Sequence, residues 1–284
     1  MEAIYEPVEK ETLIKRSSGW KWLDWKELAQ YRDLLYFLTV RGIRARYAQS
    51  VLGVSWAIIQ PLVTTIIFTF VFGNFAKVGS DGAPYLLFSF IAMVPWTYFS
   101  GTLTDASISL VQNNTLITKV YFPRLFIPLS SALAKWLDFA IGLAVLVVLM
   151  VYFVVQGKVP APGWSLVLLP VLLLILFIVS MALGLLFSAM SVQYRDVKHA
   201  MSFLVQLLMY VAPVVYSTYS IPAGWQKWYA LNPMVGVIEG FRAVFLSKPM
   251  PWDWIITGFL VSVALFIFSA SYFRRMETGF ADMA

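Results

Sequence analysis

The chain has 284 residues, 60% hydrophobic and only 13% charged, against about 25% charged residues in an ordinary soluble domain. Its net charge is +6, with no cysteine and a single histidine, His199. Disulfides, thiolate metal sites and a cysteine nucleophile are therefore excluded, and one histidine cannot build a multi-histidine metal centre, so no metal site is expected.

Residues 1–20 read as a charged tail without the apolar core and small-residue cleavage site of a signal peptide. Asp24 followed by Glu27 resembles a capping box and predicts a helix start near Trp25. That helix continues through Tyr31-Arg32-Asp33-Leu34-Leu35 toward Arg46. Trp20, Trp22, Trp25 and Tyr31 stand beside basic residues, a combination suited to the lipid headgroup layer. The segment is expected to be an amphipathic interfacial helix, serving as a membrane anchor or as a surface for a partner.

Six stretches then follow without any Asp, Glu, Lys or Arg: Val51–Ala76, Ala83–Thr104, Phe139–Gly157, Val159–Gln193, Ala200–Gln226 and Trp254–Phe273. A helix needs about 20 apolar residues to cross the hydrocarbon core. There, each backbone amide and carbonyl must be satisfied within its own segment, which favours a helix. The fold class expected is an all-α membrane protein with six transmembrane helices. The second runs from Tyr85 to about Leu110. The third opens at Pro123 and Pro128 and ends near Val155. The fourth ends near Val192, and the fifth near Tyr216. Between the second and third, Asn113-Asn114 breaks the pattern, and Thr115–Val120 is expected as a short helix. Residues 217–251 hold Pro222, Pro233, Pro249 and Pro251 between apolar runs too short for two crossings. They are expected to form one or two short re-entrant helices between spans five and six. The domain boundaries expected are a tail with the interfacial helix over 1–50, a transmembrane domain over 51–275 and a tail over 276–284.

With six crossings both termini lie on one side. Assigning that side to the cytosol puts fifteen of the 21 Lys/Arg there, as the positive-inside rule requires. This topology accounts for most of the basic charge, so no nucleic-acid partner is expected.

No phosphate-binding loop, dinucleotide fingerprint or nucleophile elbow is present. Ionisable residues within spans are expensive and mark candidates for function. They are Asp105, the pair Lys135 and Asp138, and, in the broken segment, the pair Glu239 and Arg242, each pair three apart and able to neutralise itself. Trp56, Trp96, Tyr98, Phe99, Tyr210, Tyr216 and Tyr219 gather at span ends. They form either an interfacial belt or a path whose ring faces pack on sugar C–H faces.

Several of these residues match a known pattern in order. Tyr31-Arg32-Asp33-Leu34-Leu35, Arg46-Tyr47, Leu52-Gly53, Trp56 and Pro61 resemble the amino-terminal signature of ABC-2-type polysaccharide export permeases. So do Pro95-Trp96-Thr97-Tyr98-Phe99, Asn114-Thr115-Leu116 through Phe122-Pro123-Arg124, Gln193-Tyr194-Arg195-Asp196, Ala212-Pro213-Val214-Val215-Tyr216 and Asn232-Pro233-Met234. The resemblance is strongest to O-antigen permeases and extends to capsule and teichoic acid permeases. It implies a homodimeric membrane subunit in the bacterial inner membrane that exports polyprenyl-pyrophosphate-linked polysaccharide and is not itself an enzyme. It further implies two copies of a separate ATPase subunit, which would hold ATP and Mg2+ while this chain holds no cofactor. By the same resemblance Asn113, Asn114, Thr115, Leu116 and Lys119, with Arg32 and Asp33, would contact the ATPase. The basic rim of Arg41, Arg44 and Arg46 is expected to attract the pyrophosphate by charge, or to orient the chain on lipid headgroups. A small-lipid or drug exporter of the same family, a membrane glycosyltransferase and an ion-coupled transporter are the rival readings. The second calls for a carboxylate cluster such as Asp-x-Asp, which is absent.

Overall fold

The computed structural model describes residues 29–48, 50 and 52–277, and every regular element among them is helical. The capping box at Asp24–Glu27 and the tryptophans at 20, 22 and 25 lie outside the described residues. Helix α1 is Arg32–Tyr47. A continuous helical stretch Gly53–Phe75 follows, made of one 3-10 turn, α2 (Trp56–Phe68) and a wider π-type end over Thr69–Phe75. Then come α3 (Tyr85–Gln112), the short α4 (Asn114–Lys119) and α5 (Phe126–Val155). A 3-10 turn over Trp164–Leu168 leads into α6 (Leu169–Gln193), and α7 is Asp196–Val211. Two short helices, α8 (Ala223–Tyr229) and α9 (Pro233–Phe245), precede the long α10 (Trp252–Glu277).

Five helical stretches among the described residues are long and apolar enough to cross a membrane: Gly53–Phe75, Tyr85–Gln112, Phe126–Val155, Trp164–Gln193 and Trp252–Glu277. They coincide with the expected spans one to four and six. The fifth differs. Its helix, α7, has 16 residues, about 24 Å at 1.5 Å per residue, and ends five residues before Tyr216. The cause is local. Pro213 disfavours helical backbone at the residue before it, and Ala212 turns extended at φ −87°, ψ 147°. The broken segment resolves into two helices, α8 and α9. The second starts cleanly because Asn232 accepts a hydrogen bond from the Met234 amide at 3.1 Å, with Pro233 in the first turn.

Helix α3 is the axis of the bundle. It packs against α2, α5, α6, α7 and α9, and its side chains are buried around the whole helix in its first half. The first span, by contrast, leaves Val63, Ile66, Ile67 and Phe70 exposed. Small residues allow the closest approaches. A Cβ on Gly184 of α6 would lie 3.0 Å from the Ala106 methyl of α3, and one on Gly236 of α9 would lie 2.5 Å from the Trp254 carbonyl of α10. Two apolar clusters fill the interior. The larger joins α3, α5, α6 and α9. The smaller sits at one end, where Leu34, Leu35 and Leu38 of α1 and Leu116 of α4 pack on Leu110, Phe126, Leu185 and Phe273.

Candidate functional site

Tyr85 and Asp105 stand 20 residues apart on α3, about 30 Å along the helix. That length matches the hydrocarbon thickness of a bilayer. Charged side chains collect at each end.

At the Asp105 end, α1, α3 and α5 converge. Arg46, in the last turn of α1, donates through Nη2 to Asp105 at 2.7 Å and through Nη1 to Asp138 at 2.9 Å. Lys135 Nζ lies 3.1 Å from the same Asp105 oxygen and 3.7 Å from Asp138. Two cations and two carboxylates thus form one neutral cluster, and Lys135 lies flat along α3 because Gly101 leaves room for its stem. The cluster is half-buried, with side chains between 15% and 34% exposed. Tyr47 also donates to Asp138; burial and then the carboxylate push its pKa up to about 12, so it stays a donor at neutral pH. The sequence marks Asp105 and the Lys135–Asp138 pair as separate candidates. The structure joins them and adds Arg46 and Tyr47.

Beside this cluster lies α4. The Asn113 amide donates to the Ser109 carbonyl at 2.9 Å, while the buried Asn114 Oδ1 has no hydrogen-bond partner. Thr115 and Lys119 are exposed, and Leu116 rests on the smaller cluster that also carries α1. Arg32 and Asp33 are exposed and face each other at 3.7 Å. Between α4 and the start of α5 opens a cleft of about 210 Å³ lined by Ile117, Thr118, Lys119, Val120, Tyr121, Phe122 and Arg124. Arg124 donates to the Glu277 carbonyl at the end of α10. The elements expected to meet an ATPase therefore share one end of the bundle.

At the Tyr85 end, the Glu239–Arg242 pair closes at 2.8 Å with side chains 5% and 1% exposed. All residues of α9 are buried. The Arg242 guanidinium also donates to the carbonyls of Val214 and Tyr216 and lies 3.6 Å from the Phe88 ring centroid, a cation–π placement. Asp81 meets Lys248 at 3.4 Å and accepts from Ser217 at 2.8 Å.

The aromatic candidates divide. Trp96, Tyr98 and Phe99 are core residues of α3: Trp96 and Phe99 pack on each other, and Tyr98 packs on Trp136 and Phe139. A ring covered on all sides offers no face to a sugar, so these three are packing residues. Trp56, Tyr210 and Tyr219 are exposed and Tyr216 is half-buried. Exposed Trp225 and Trp228 on α8 join them, although they carry no spacing signal that distinguishes them from a belt. Arg41 and Arg44 are exposed. Arg46 spends one N–H of each terminal nitrogen on a carboxylate, so its charge is balanced within the cluster.

Residues 33–246 match the family described as ABC-2 type transporter, a range that includes the Arg46 cluster and the Glu239–Arg242 pair. The O-antigen export system permease protein RfbA of Myxococcus xanthus is 30% identical over 260 residues, covering 90% of this chain and 97% of that protein. A protein of the same description from Klebsiella pneumoniae is 26% identical over 251 residues, 88% of this chain and 95% of its own. The polysialic acid transport protein KpsM of Escherichia coli is 24% identical over 253 residues, 84% and 92% of the two chains.

Proposed function

The chain belongs to the ABC-2 type transporter family, and from that premise we propose that it is the membrane subunit of an ATP-driven exporter of lipid-linked polysaccharide of the O-antigen kind. The observation that carries this reading is the similarity to O-antigen export permeases along nearly their whole length. The joint packing of α1 and α4 on one apolar cluster supports it, because a partner pressing on that end would move both together. In this reading the exposed Thr115 and Lys119, with Arg32 and Asp33, meet a separate ATPase that is present in two copies, while Asn113, Asn114 and Leu116 seat α4 for that contact. That partner holds ATP and Mg2+ and supplies the free energy; this chain supplies the conduit. ATP binding shifts the population between closed and open states through differential contact at α4.

Two copies of the chain form the path, and α7 with the segment up to Ser220 completes a sixth crossing, which leaves both termini cytosolic in the inner membrane. The short helices α8 and α9 return within the outer half. The cargo is a glycan on a polyprenyl pyrophosphate. Arg41 and Arg44 attract its diphosphate by charge, while Arg46 keeps to its carboxylates. Trp56, Tyr210, Tyr216 and Tyr219 are the rings left for sugar contact. The likeness to KpsM favours a second reading, capsular polysaccharide as cargo, with the same mechanism.

The test is reconstitution in inverted membrane vesicles with polyprenyl-diphosphate-linked O-antigen and, in parallel, capsular glycan. Export of the O-antigen is expected only with ATP and the ATPase subunit present. Glycan movement by the lone chain, or movement of the capsular cargo alone, overturns the O-antigen assignment.

A further inference from the structure

The backbone between α7 and α8, Ala212 to Ser220, is extended or in single turns, and yet it is buried at Ala212, Val214, Val215, Ser217 and Thr218. Buried backbone without helical partners must find them elsewhere. Here side chains from other elements provide them in succession. The Val214 carbonyl accepts from Arg242 Nη2 at 3.1 Å, the Val215 carbonyl from the Tyr85 hydroxyl at 2.5 Å, and the Tyr216 carbonyl from Arg242 Nη1 at 3.2 Å. The Thr218 amide and hydroxyl both donate to Glu239 Oε1, at 3.3 and 2.7 Å. Ser217 donates to Asp81 Oδ2 at 2.8 Å, and Lys248 lies 3.4 Å from the same oxygen and donates to the Asp81 carbonyl at 3.2 Å. The strap is thus tied to α3, to α9 and to the loop before α3. The aromatic residues it brings to the surface are Tyr216, half-buried, whose hydroxyl lies 2.8 Å from that of Tyr229, and Tyr219, exposed, whose ring centroid is 5.6 Å from that of Trp254.

We propose that Arg242 and Glu239 are positioning residues that hold this strap as a fixed frame, so that the outer mouth keeps its shape while the rest of the dimer opens and closes. The frame carries Tyr216 and Tyr219 to the cargo, and in that respect the inference rests on the export reading. The physical argument is the burial of the ties. Displacing the strap strips these hydrogen bonds together from a site where Arg242 is 1% exposed and Glu239 5%, with no water to replace them. The fork is specific to arginine. A lysine ammonium is a single point charge and cannot span two carbonyls, a carboxylate and the Phe88 face at once. Helix α7, exposed along much of its length, enters the strap through the extended residue Ala212.

Because the chain has no cysteine, the pair Asp81→Cys and Ser217→Cys can be oxidised without competing reactions. In the complex with its ATPase partner, in native membranes, the disulfide, which takes the place of the Ser217–Asp81 tie, is expected to form readily and to leave polysaccharide export no lower than in the same variant kept reduced. Export lost on oxidation and restored by reductant means that the strap moves, and overturns the proposal. On the same cysteine background, Arg242→Lys is expected to slow disulfide formation about tenfold, the equivalent of one charge-assisted hydrogen bond. It is also expected to raise the half-saturating cargo concentration while sparing the maximal rate. An unchanged crosslinking rate overturns the positioning role. If Arg242→Lys does not reach the membrane, the paired change Glu239→Leu and Arg242→Met, which removes both charges, carries the same measurement. Crosslinking is read on the resting protein without cargo or ATP, so it judges the frame independently of what is transported. Absence of glycan export by the unaltered complex counts against the export reading alone.

Discussion

At the Asp105 end of α3, four charges from three helices meet in a half-exposed cluster. At the Tyr85 end, one pair on a single short helix is sealed from solvent and spends its remaining valences on backbone carbonyls. The difference is one of purpose. The helices joined by the first cluster already satisfy their own backbones, so its charges only fasten one element to another. The second replaces hydrogen bonds that an irregular, buried backbone has no other way to make. Breaking the first should loosen a linkage between helix α1 and the spans. Breaking the second should unmake a piece of the fold.

The largest expected effect tests the sealed end. Arg242→Ala leaves Glu239 as an unpaired buried carboxylate and should cost about 3–5 kcal/mol, read as a collapse of thermal stability or of the amount reaching the membrane. Next is Gly236→Ala. Its Cβ would sit 2.5 Å from the Trp254 carbonyl, backbone that cannot swing aside, and the resulting separation of α9 from α10 should cost about 1–3 kcal/mol in the same unfolding measurement. If that substitution were silent, the tight seating of α9 would be refuted. At the open end, Arg46→Gln should cost only about 1 kcal/mol, since Lys135 remains to balance one carboxylate and solvent screens the rest. Its larger consequence should be functional, a lowered ratio of polysaccharide exported to ATP hydrolysed.

Tyr47→Phe should likewise cost about 1 kcal/mol. Because the folded protein raises this phenol to about 12 from 10.0, the stability it contributes is intact below pH 10 and is lost as the pH climbs toward 12. Alkaline unfolding of the wild type should therefore show a loss across that window that Tyr47→Phe lacks. The smallest effect is expected for Arg41→Gln with Arg44→Gln, both exposed. Stability should stay within about 0.5 kcal/mol, while the half-saturating concentration of lipid-linked cargo for ATPase stimulation rises. An unchanged half-saturation would return these arginines to a role in topology alone.

Much of this architecture was legible in advance. Five of the six charge-free stretches correspond to long helices among the described residues, and Asn113-Asn114 marks the break before α4. Val51–Ala76 and Tyr85–Leu110 agree with the structure within a few residues because polarity changes sharply at their ends. The fifth span was overdrawn because apolar content continues through Val211–Tyr216, while Pro213 has already ended the helix. Trp96, Tyr98 and Phe99 read as belt or path residues because composition cannot tell a ring against lipid or sugar from one against another core ring. Arg46 looked free for the opposite reason, since its partners lie 59 and 92 residues away. A lone Asp105 in an apolar helix already called for a cation, and that was the available signal.

The sequence by itself determined that the chain is helical, that it lives in a membrane and roughly where five of its long helices lie. Those properties follow from each segment's own balance of apolar burial and backbone hydrogen bonding, without reference to neighbours. Only the tertiary structure decided which cation answers Asp105, that Glu239 and Arg242 serve the backbone of Val214–Thr218, and which aromatic rings remain open. Such pairings depend on which distant surfaces α3 brings to each of its ends, and no local rule of composition or spacing contains that information.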